Sequence, residues 1–267
     1  MKAVGRSLIA MLAAVAWFAS ASGADPIRIN VDADNAPFMS AREGLPSGVY
    51  PAVLVAAFAR IKQPLVLETK PWKRALLELD QGKAGIGGIY RNDERNAKYD
   101  FSEPILSENI VVYFSQAKPI DFKTLADLNG KRVGVIRGWS YGNLFDAARK
   151  DGKFTAEDVV NDRANFLKLA HGRLDAVLAV DEAGKAVISA EKLTNIDQSK
   201  AFLASNQAHL AFNKSARQTD LLAQFSQAIA QMKKDGTLDR IVKEELAKAL
   251  RPRLAQQQLA PTTNAAP

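Results

Sequence analysis

The chain has 267 residues, of which 47% are hydrophobic and 24% charged, so a globular protein with a sizeable core is expected. Its formal net charge is +7, but the basic residues are scattered and no nucleic-acid-binding motif accompanies them, which argues against nucleic acid as a partner. The absence of cysteine excludes disulfides, and it also excludes the lipid-modified cysteine that would tether a lipoprotein to a membrane.

Residues 1–24 have the pattern of a secretory signal peptide. Lys2 and Arg6 give a positive start, residues 7–19 form an apolar run, and small residues occupy positions 20–24. The run is shorter than the roughly 20 apolar residues of a membrane-spanning helix, so a cleaved signal is expected rather than an anchor. We expect cleavage after Ala24, with Ala21 as the second choice, and release of the mature protein into the periplasm.

The first part of the mature sequence alternates between strand and helix spacing. Residues 27–31 alternate apolar and polar side chains, as a half-buried strand does, and a strand is also expected around Val66. An apolar helical pattern runs from Pro51 to Ile61, and a shorter helix is expected over residues 73–80, ended by Gly82.

The same alternation continues to the C-terminal region. Strands are predicted over residues 111–114, 133–136 and 174–180, with a helix from about Tyr141. Helical patterns cover residues 221–232 and 238–246, whereas residues 251–267 have the composition of a disordered tail. The alternation predicts an α/β fold with a mainly parallel sheet, whose ligands bind at the carboxyl ends of the strands.

Six segments, in order, resemble the bacterial extracellular solute-binding proteins of family 3, which serve polar amino-acid transporters. They are residues 31–38, 71–83, 87–105, 125–142, 172–183 and 232–246, and the resemblance covers roughly residues 27–248. It implies a type 2 periplasmic-binding fold with two lobes joined by two hinge crossings. The lobes would comprise residues 25–114 with 209–250, and residues 115–208, with crossings near 113–117 and 205–210.

The resemblance also implies where the ligand is anchored. Arg95 matches the arginine that grips the ligand carboxylate, a role for which a planar guanidinium is suited. The alternative is a helix-end arginine paired with Glu94 or Asp100. Ser140 matches a hydroxyl at a helix start, where unpaired N–H groups favour a carboxylate, although an N-cap serine would have the same position.

Other candidate binding residues come from the same motifs. Asp181 is near the position of the acid that takes the ligand ammonium, but it lies one residue late, so Glu182 or neither acid remains open. Trp72 matches an aromatic residue that packs on the ligand, or else a core tryptophan. The remaining positions are Asp34 and Phe38 in the first loop, and the departures from the usual motif at Asn35, Tyr90 and Trp139.

The resemblance implies a binding protein rather than an enzyme. The expected ligand is small, polar and amino-acid-like, and the expected partner is the inner-membrane permease of an ABC transporter, with the protein itself a monomer. No cofactor or metal is predicted, since His171 and His209 are isolated. Two alternatives stay open, namely a periplasmic dehydratase of a cyclic carboxylic acid, with Glu182 as its acid, and a ligand-sensing domain.

Overall fold

The structure is a computed structural model that describes residues 25–250, without the side chain of Leu250. The predicted signal peptide (1–24) and tail (251–267) lie outside these residues. Within them, no helix is long and apolar enough to cross a membrane.

Strands and helices alternate along most of this range. The strands are β1 Ile27–Asp32, β2 Asp34–Asn35, β3 Met39–Arg42, β4 Leu45–Ser47, β5 Leu65–Lys70, β6 Gly85–Tyr90, β7 Tyr99–Phe101, β8 Leu106–Ser115, β9 Arg132–Ile136, β10 Thr155–Val159, β11 Ala176–Val180 and β12 Ile196–Asn213. The α-helices are α1 Val49–Arg60, α2 Trp72–Asp80, α3 Asp93–Lys98, α4 Asn143–Lys150, α5 Asp162–Ala170, α6 Asp181–Glu191, α7 Thr219–Lys234 and α8 Thr237–Leu250.

One large mixed sheet has the strand order β10-β9-β11-β8-β12-β6-β1-β5, with β7 added on β12. Pairing is parallel at both ends, where β1 joins β5 and β6, and β9 joins β10 and β11. In the middle, β8 and β12 run antiparallel to each other and to their neighbours. The predicted mainly parallel sheet therefore holds for the two ends, and the middle differs because two long strands pass between them.

The sheet divides the fold into two halves. The terminal half contains β1, β5 and β6 with the helices α1, α2, α7 and α8, which come from both ends of the described chain. The central half contains β9, β10 and β11 with α4, α5 and α6. Long strands β8 and β12 connect the halves, so the chain passes from one to the other twice.

The predicted elements are present with shifted ends. Helix α1 begins two residues before Pro51, and it buries a face that includes Val53, Leu54, Ala57 and Phe58. Strand β8 is longer than the predicted 111–114, and α4 begins at Asn143 rather than near Tyr141. Such ends depend on local capping and on strand pairing, which apolar periodicity does not report.

Candidate functional site

A small, narrow cavity lies between the two halves. It holds about 10 Å³, which is room for roughly one water molecule. Most of its wall follows the carboxyl ends of β1, β5, β6 and β9, as expected for an α/β sheet. The lining residues are Asn35, Trp72, Gly88, Tyr90, Arg95, Glu108, Trp139 and Ser140.

The position of Arg95 is set by the short helix α3. The side chain of Asn92 caps this helix by accepting a 2.8 Å hydrogen bond from the Arg95 backbone N–H, and helix formation starts directly after β6. The guanidinium is only 8% exposed and donates to two carbonyl oxygens, that of Tyr90 at 2.7 Å and that of Gly138 at 3.0 Å. No salt bridge to Glu94 or Asp100 forms; Glu94 instead pairs with Lys98. A guanidinium has five N–H donors, so Arg95 can still bind an anion.

Gly138 receives a second bond from the terminal half. The indole N–H of Trp72 donates to its carbonyl oxygen at 3.2 Å. Gly138 itself has a φ of +81°, a conformation that suits glycine, and this turn presents its carbonyl to both donors. One carbonyl of the central half thus accepts two hydrogen bonds from the terminal half.

Aromatic rings fill most of the space between the halves. Trp139 lies edge-on to Trp72 and Tyr90, with ring centroids 6.3 Å and 5.9 Å away. Its other neighbour is Tyr141 at 6.1 Å. The indole N–H of Trp139 is buried and makes no hydrogen bond of normal geometry. These rings present apolar faces and ring π-electrons to any molecule that enters the cavity.

Glu108 is a cavity residue that the sequence analysis missed. Its carboxylate is 4% exposed, with one oxygen accepting from the Tyr50 hydroxyl and the other from the Tyr90 hydroxyl. Burial raises the pKa of Glu108 to about 7, although both hydroxyls oppose the rise. In the sequence, Glu108 is an acid two residues before the apolar run Ile110–Phe114, and this pattern predicts only a strand.

Ser140 lies in the cavity wall, but its hydroxyl is already engaged. It donates to Oδ2 of Asp146 in α4, and that same atom accepts from the Asn92 side chain of the terminal half at 3.3 Å. The backbone N–H of Asp93 also reaches the side-chain oxygen of Asn143 at 3.2 Å. The start of α4 therefore joins the two halves by polar contacts.

Asp181 lies outside the cavity lining. Its carboxylate accepts from Lys185 at 2.7 Å, from Gln198 at 3.2 Å and from the Tyr113 hydroxyl at 3.4 Å. Glu182 is exposed and does not line the cavity, and its charge contributes to raising the pKa of Glu108. Asp181, one of the two acids considered for an ammonium group, is thus paired with a lysine of its own helix.

The predicted first-loop residues differ in their surroundings. Asp34 is exposed and Phe38 is buried against Tyr50 with ring centroids 6.0 Å apart, and neither lines the cavity. Asn35 does line it, and its side-chain oxygen is buried without a hydrogen-bond partner. Asp32 at the end of β1 is 2% exposed, and burial raises its pKa to about 6.

No group of three or more His, Asp or Glu side chains within residues 25–249 has the arrangement of a metal site. His209 is buried, and one ring nitrogen lies 2.8 Å from the carbonyl of Ser102. Burial lowers its pKa, which favours the neutral ring.

Comparison with known proteins places this geometry in a family. The profile of the bacterial extracellular solute-binding proteins, family 3, matches residues 27–247. The chain belongs to this family. This solute-binding protein is also 30% identical to the L-cystine-binding protein TcyJ of Escherichia coli K12 over 174 residues, which are 64% of each protein. The chain therefore matches a little under two thirds of the length of that relative.

Solved structures give the fold of this solute-binding protein. A histidine kinase sensor domain with similarity to periplasmic binding proteins superposes with a TM-score of 0.75 and 22% identity, covering 84% of this chain and 97% of that one. An ancestral arginine-binding protein bound to arginine gives a TM-score of 0.70 and 24% identity, covering 82% and 97%. The predicted two-lobed type 2 periplasmic-binding fold is confirmed.

Proposed function

We propose that this solute-binding protein captures a small amino-acid-like molecule between its two halves and delivers it to an ABC importer. The observation that carries the proposal is the Arg95 guanidinium, buried in the cavity between the halves with N–H donors to spare. A buried guanidinium of this kind binds a carboxylate through two parallel hydrogen bonds. The names of the family and of its cystine-binding relative support an amino-acid ligand.

Capture requires the halves to separate. The cavity of about 10 Å³ is too small for an amino acid, and aromatic side chains occupy the space that a ligand needs. We propose that β8 and β12 act as the hinge, so that the lobes are residues 25–114 with 209–250, and residues 115–208. Closure on a ligand would exclude water and strengthen the charged contacts inside.

The proposal also covers export and partners. Cleavage after Ala24 would release a monomer into the periplasm, where the permease of an ABC importer is its partner. Binding rather than catalysis is proposed because the relatives that support it are named as binding proteins. A bound compound should therefore be recovered chemically unchanged after long incubation with the protein.

The test of this function begins with a thermal-shift screen of the natural amino acids and cystine, because a ligand that binds only the folded protein raises its melting temperature. Calorimetry then measures the affinity of the best compound for wild type, Arg95→Ala and Arg95→Lys. Loss of a buried charge partner costs about 2–5 kcal/mol, so Arg95→Ala should bind roughly 30-fold to several thousand-fold more weakly. Lysine should not restore binding, because it lacks the two-pronged donor.

Arg91 provides a matched control. It belongs to the same segment, is exposed, and stacks over Phe101 outside the cavity. Arg91→Ala should bind like wild type. Unchanged affinity in Arg95→Ala, or no response to any amino acid, would contradict the proposed function.

A further inference from the structure

We propose that Glu108, rather than Asp181 at the start of α6, is the acid that binds the cationic group of the ligand. The inference deepens the proposed function and rests on it for the identity of the site as a ligand cavity. The ligand would then be a molecule that carries an ammonium or alkylammonium group, and aromatic side chains would surround that group in the complex.

Glu108 has no cation of its own. Within the part of the chain that the structure describes, no lysine, arginine or histidine lies within ion-pair distance of its carboxylate. The nearby guanidinium of Arg95 donates to the carbonyl oxygens of Tyr90 and Gly138 instead. A buried carboxylate without a positive partner is costly, and a ligand cation would remove that cost.

The carboxylate also has acceptor capacity left. The hydroxyls of Tyr50 and Tyr90 each donate to a different oxygen, which uses two of roughly four lone-pair positions. Both tyrosines are themselves buried, so they fix the carboxylate in the wall rather than leave it mobile. The two remaining positions are available to the N–H groups of a ligand.

Other parts of the cavity wall also favour a cation. The buried side-chain oxygen of Asn35 lacks a hydrogen-bond partner, so it is a second acceptor without a donor. The rings of Trp72, Tyr90 and Trp139 surround the same space. Aromatic faces attract ammonium and alkylammonium groups, most strongly where water is excluded. Acceptors, a spare negative charge and aromatic rings together define a cation subsite.

Asp181, the first of the two acids at the start of α6, is already engaged and does not line the cavity. The Asp181 carboxylate is bound by Lys185, Gln198 and Tyr113, and releasing it would break an existing ion pair. Glu108 and Arg95 line one cavity, and when the Glu108 carboxyl is ionised they carry opposite charges, which matches a ligand with an ammonium and a carboxylate.

The experiment compares Glu108→Gln with Asp181→Asn, two isosteric changes that each remove one negative charge. The first probe is methylammonium chloride, measured by thermal shift against sodium chloride at equal ionic strength. The second is the amino acid that gives the largest shift in the screen, measured by calorimetry. Wild type and Asp181→Asn should respond to both probes, whereas Glu108→Gln should lose the methylammonium shift and bind the amino acid at least about 30-fold more weakly.

Each outcome decides between the two proposals. Loss of binding in Asp181→Asn with normal binding in Glu108→Gln would overturn the role of Glu108 and leave amino-acid capture intact. A methylammonium shift that requires Glu108, without a response to any amino acid, would overturn amino-acid capture and leave the cation subsite intact. No methylammonium shift in wild type would overturn the subsite.

The stability of the empty variant adds an independent check. Glutamine keeps the shape of Glu108 and can still bond to both tyrosine hydroxyls, so Glu108→Gln should melt at or above the wild-type temperature. A variant that melts far below wild type would overturn the proposal, because the carboxylate would then be a structural partner of Tyr50 and Tyr90.

Discussion

The guanidinium of Arg95 and the carbonyl oxygen of Gly138 are joined by a 3.0 Å hydrogen bond that crosses from the terminal half to the central half. The indole N–H of Trp72 reaches the same oxygen at 3.2 Å. The residue expected to anchor a ligand therefore also links the two halves. We expect a ligand that binds between the halves to replace this link with a charged partner for Arg95.

We expect Trp72→Phe to favour separation of the halves in the empty protein. Phenylalanine keeps an aromatic ring but removes the hydrogen bond to Gly138, and such a bond contributes about 0.5–1.5 kcal/mol net. The ratio of closed to open protein should fall roughly 2- to 10-fold. Small-angle scattering should then give a larger radius of gyration than for wild type.

The neighbouring Lys73 serves as the control for that measurement, because it is an exposed residue of the same helix. Lys73→Ala should scatter like wild type. If the Trp72→Phe curve also matches wild type, the contact with Gly138 does not hold the halves closed.

The free energy of unfolding of the protein without ligand should fall as the pH rises from about 4 to 8, because Glu108 loses its proton in this range. Its pKa is about 7 in the folded protein and lower when unfolded, so the folded state binds more protons between these values. The full difference between the folded and unfolded pKa of Glu108 corresponds to about 3 kcal/mol in the free energy of unfolding. Asp162, with its pKa raised to about 7 by burial, and Asp32, at about 6, act in the same direction.

Urea unfolding at several pH values measures this dependence. Glu108→Gln should show a shallower fall in the free energy of unfolding over the same interval, because glutamine does not titrate. An equally steep fall in the variant would mean that Asp32 and Asp162, rather than Glu108, cause the dependence.

Gly88→Ala should destabilise the protein more than Gly44→Ala. Both glycines have positive φ, +83° and +79°, so alanine is strained at either by about 1–2 kcal/mol. A Cβ at Gly88 would lie 2.8 Å from the Tyr50 ring, whereas a Cβ at Gly44 would meet nothing within 4 Å. The close contact with Tyr50 should lower the free energy of unfolding of Gly88→Ala by about 1–3 kcal/mol more.

Chemical denaturation of both variants separates the backbone effect from the packing effect, since Gly44→Ala reports the backbone alone. The Gly88 variant should also bind ligands more weakly, because Tyr50 holds Glu108. Equal losses in the two variants would show that the close approach of Gly88 to Tyr50 carries no energetic weight.

Local sequence patterns predicted most helices and strands, because apolar spacing depends on residues a few positions apart. The family motifs also predicted Arg95, Trp72, Tyr90, Trp139 and Ser140 as neighbours of one site, and all five line the cavity. Whether they contact a ligand remains a prediction. The antiparallel pairing of β8 and β12 was not predicted, since it joins residues far apart in the sequence, such as Glu108 and Asn206, which are 98 positions apart.

The sequence by itself determined the succession of elements, the family and most of the cavity wall, because each depends on short contiguous segments. Only the tertiary structure decided which acid faces the cavity. In the sequence, Glu108 is one polar residue beside an apolar strand. Only the fold brings Tyr50, 58 positions away, against its carboxylate. Asp181 lies near the family position of the ammonium-binding acid, but in the fold its carboxylate accepts hydrogen bonds from Lys185, Gln198 and Tyr113. The pKa and availability of a carboxylate depend on burial and on partners from distant segments, and folding alone supplies both.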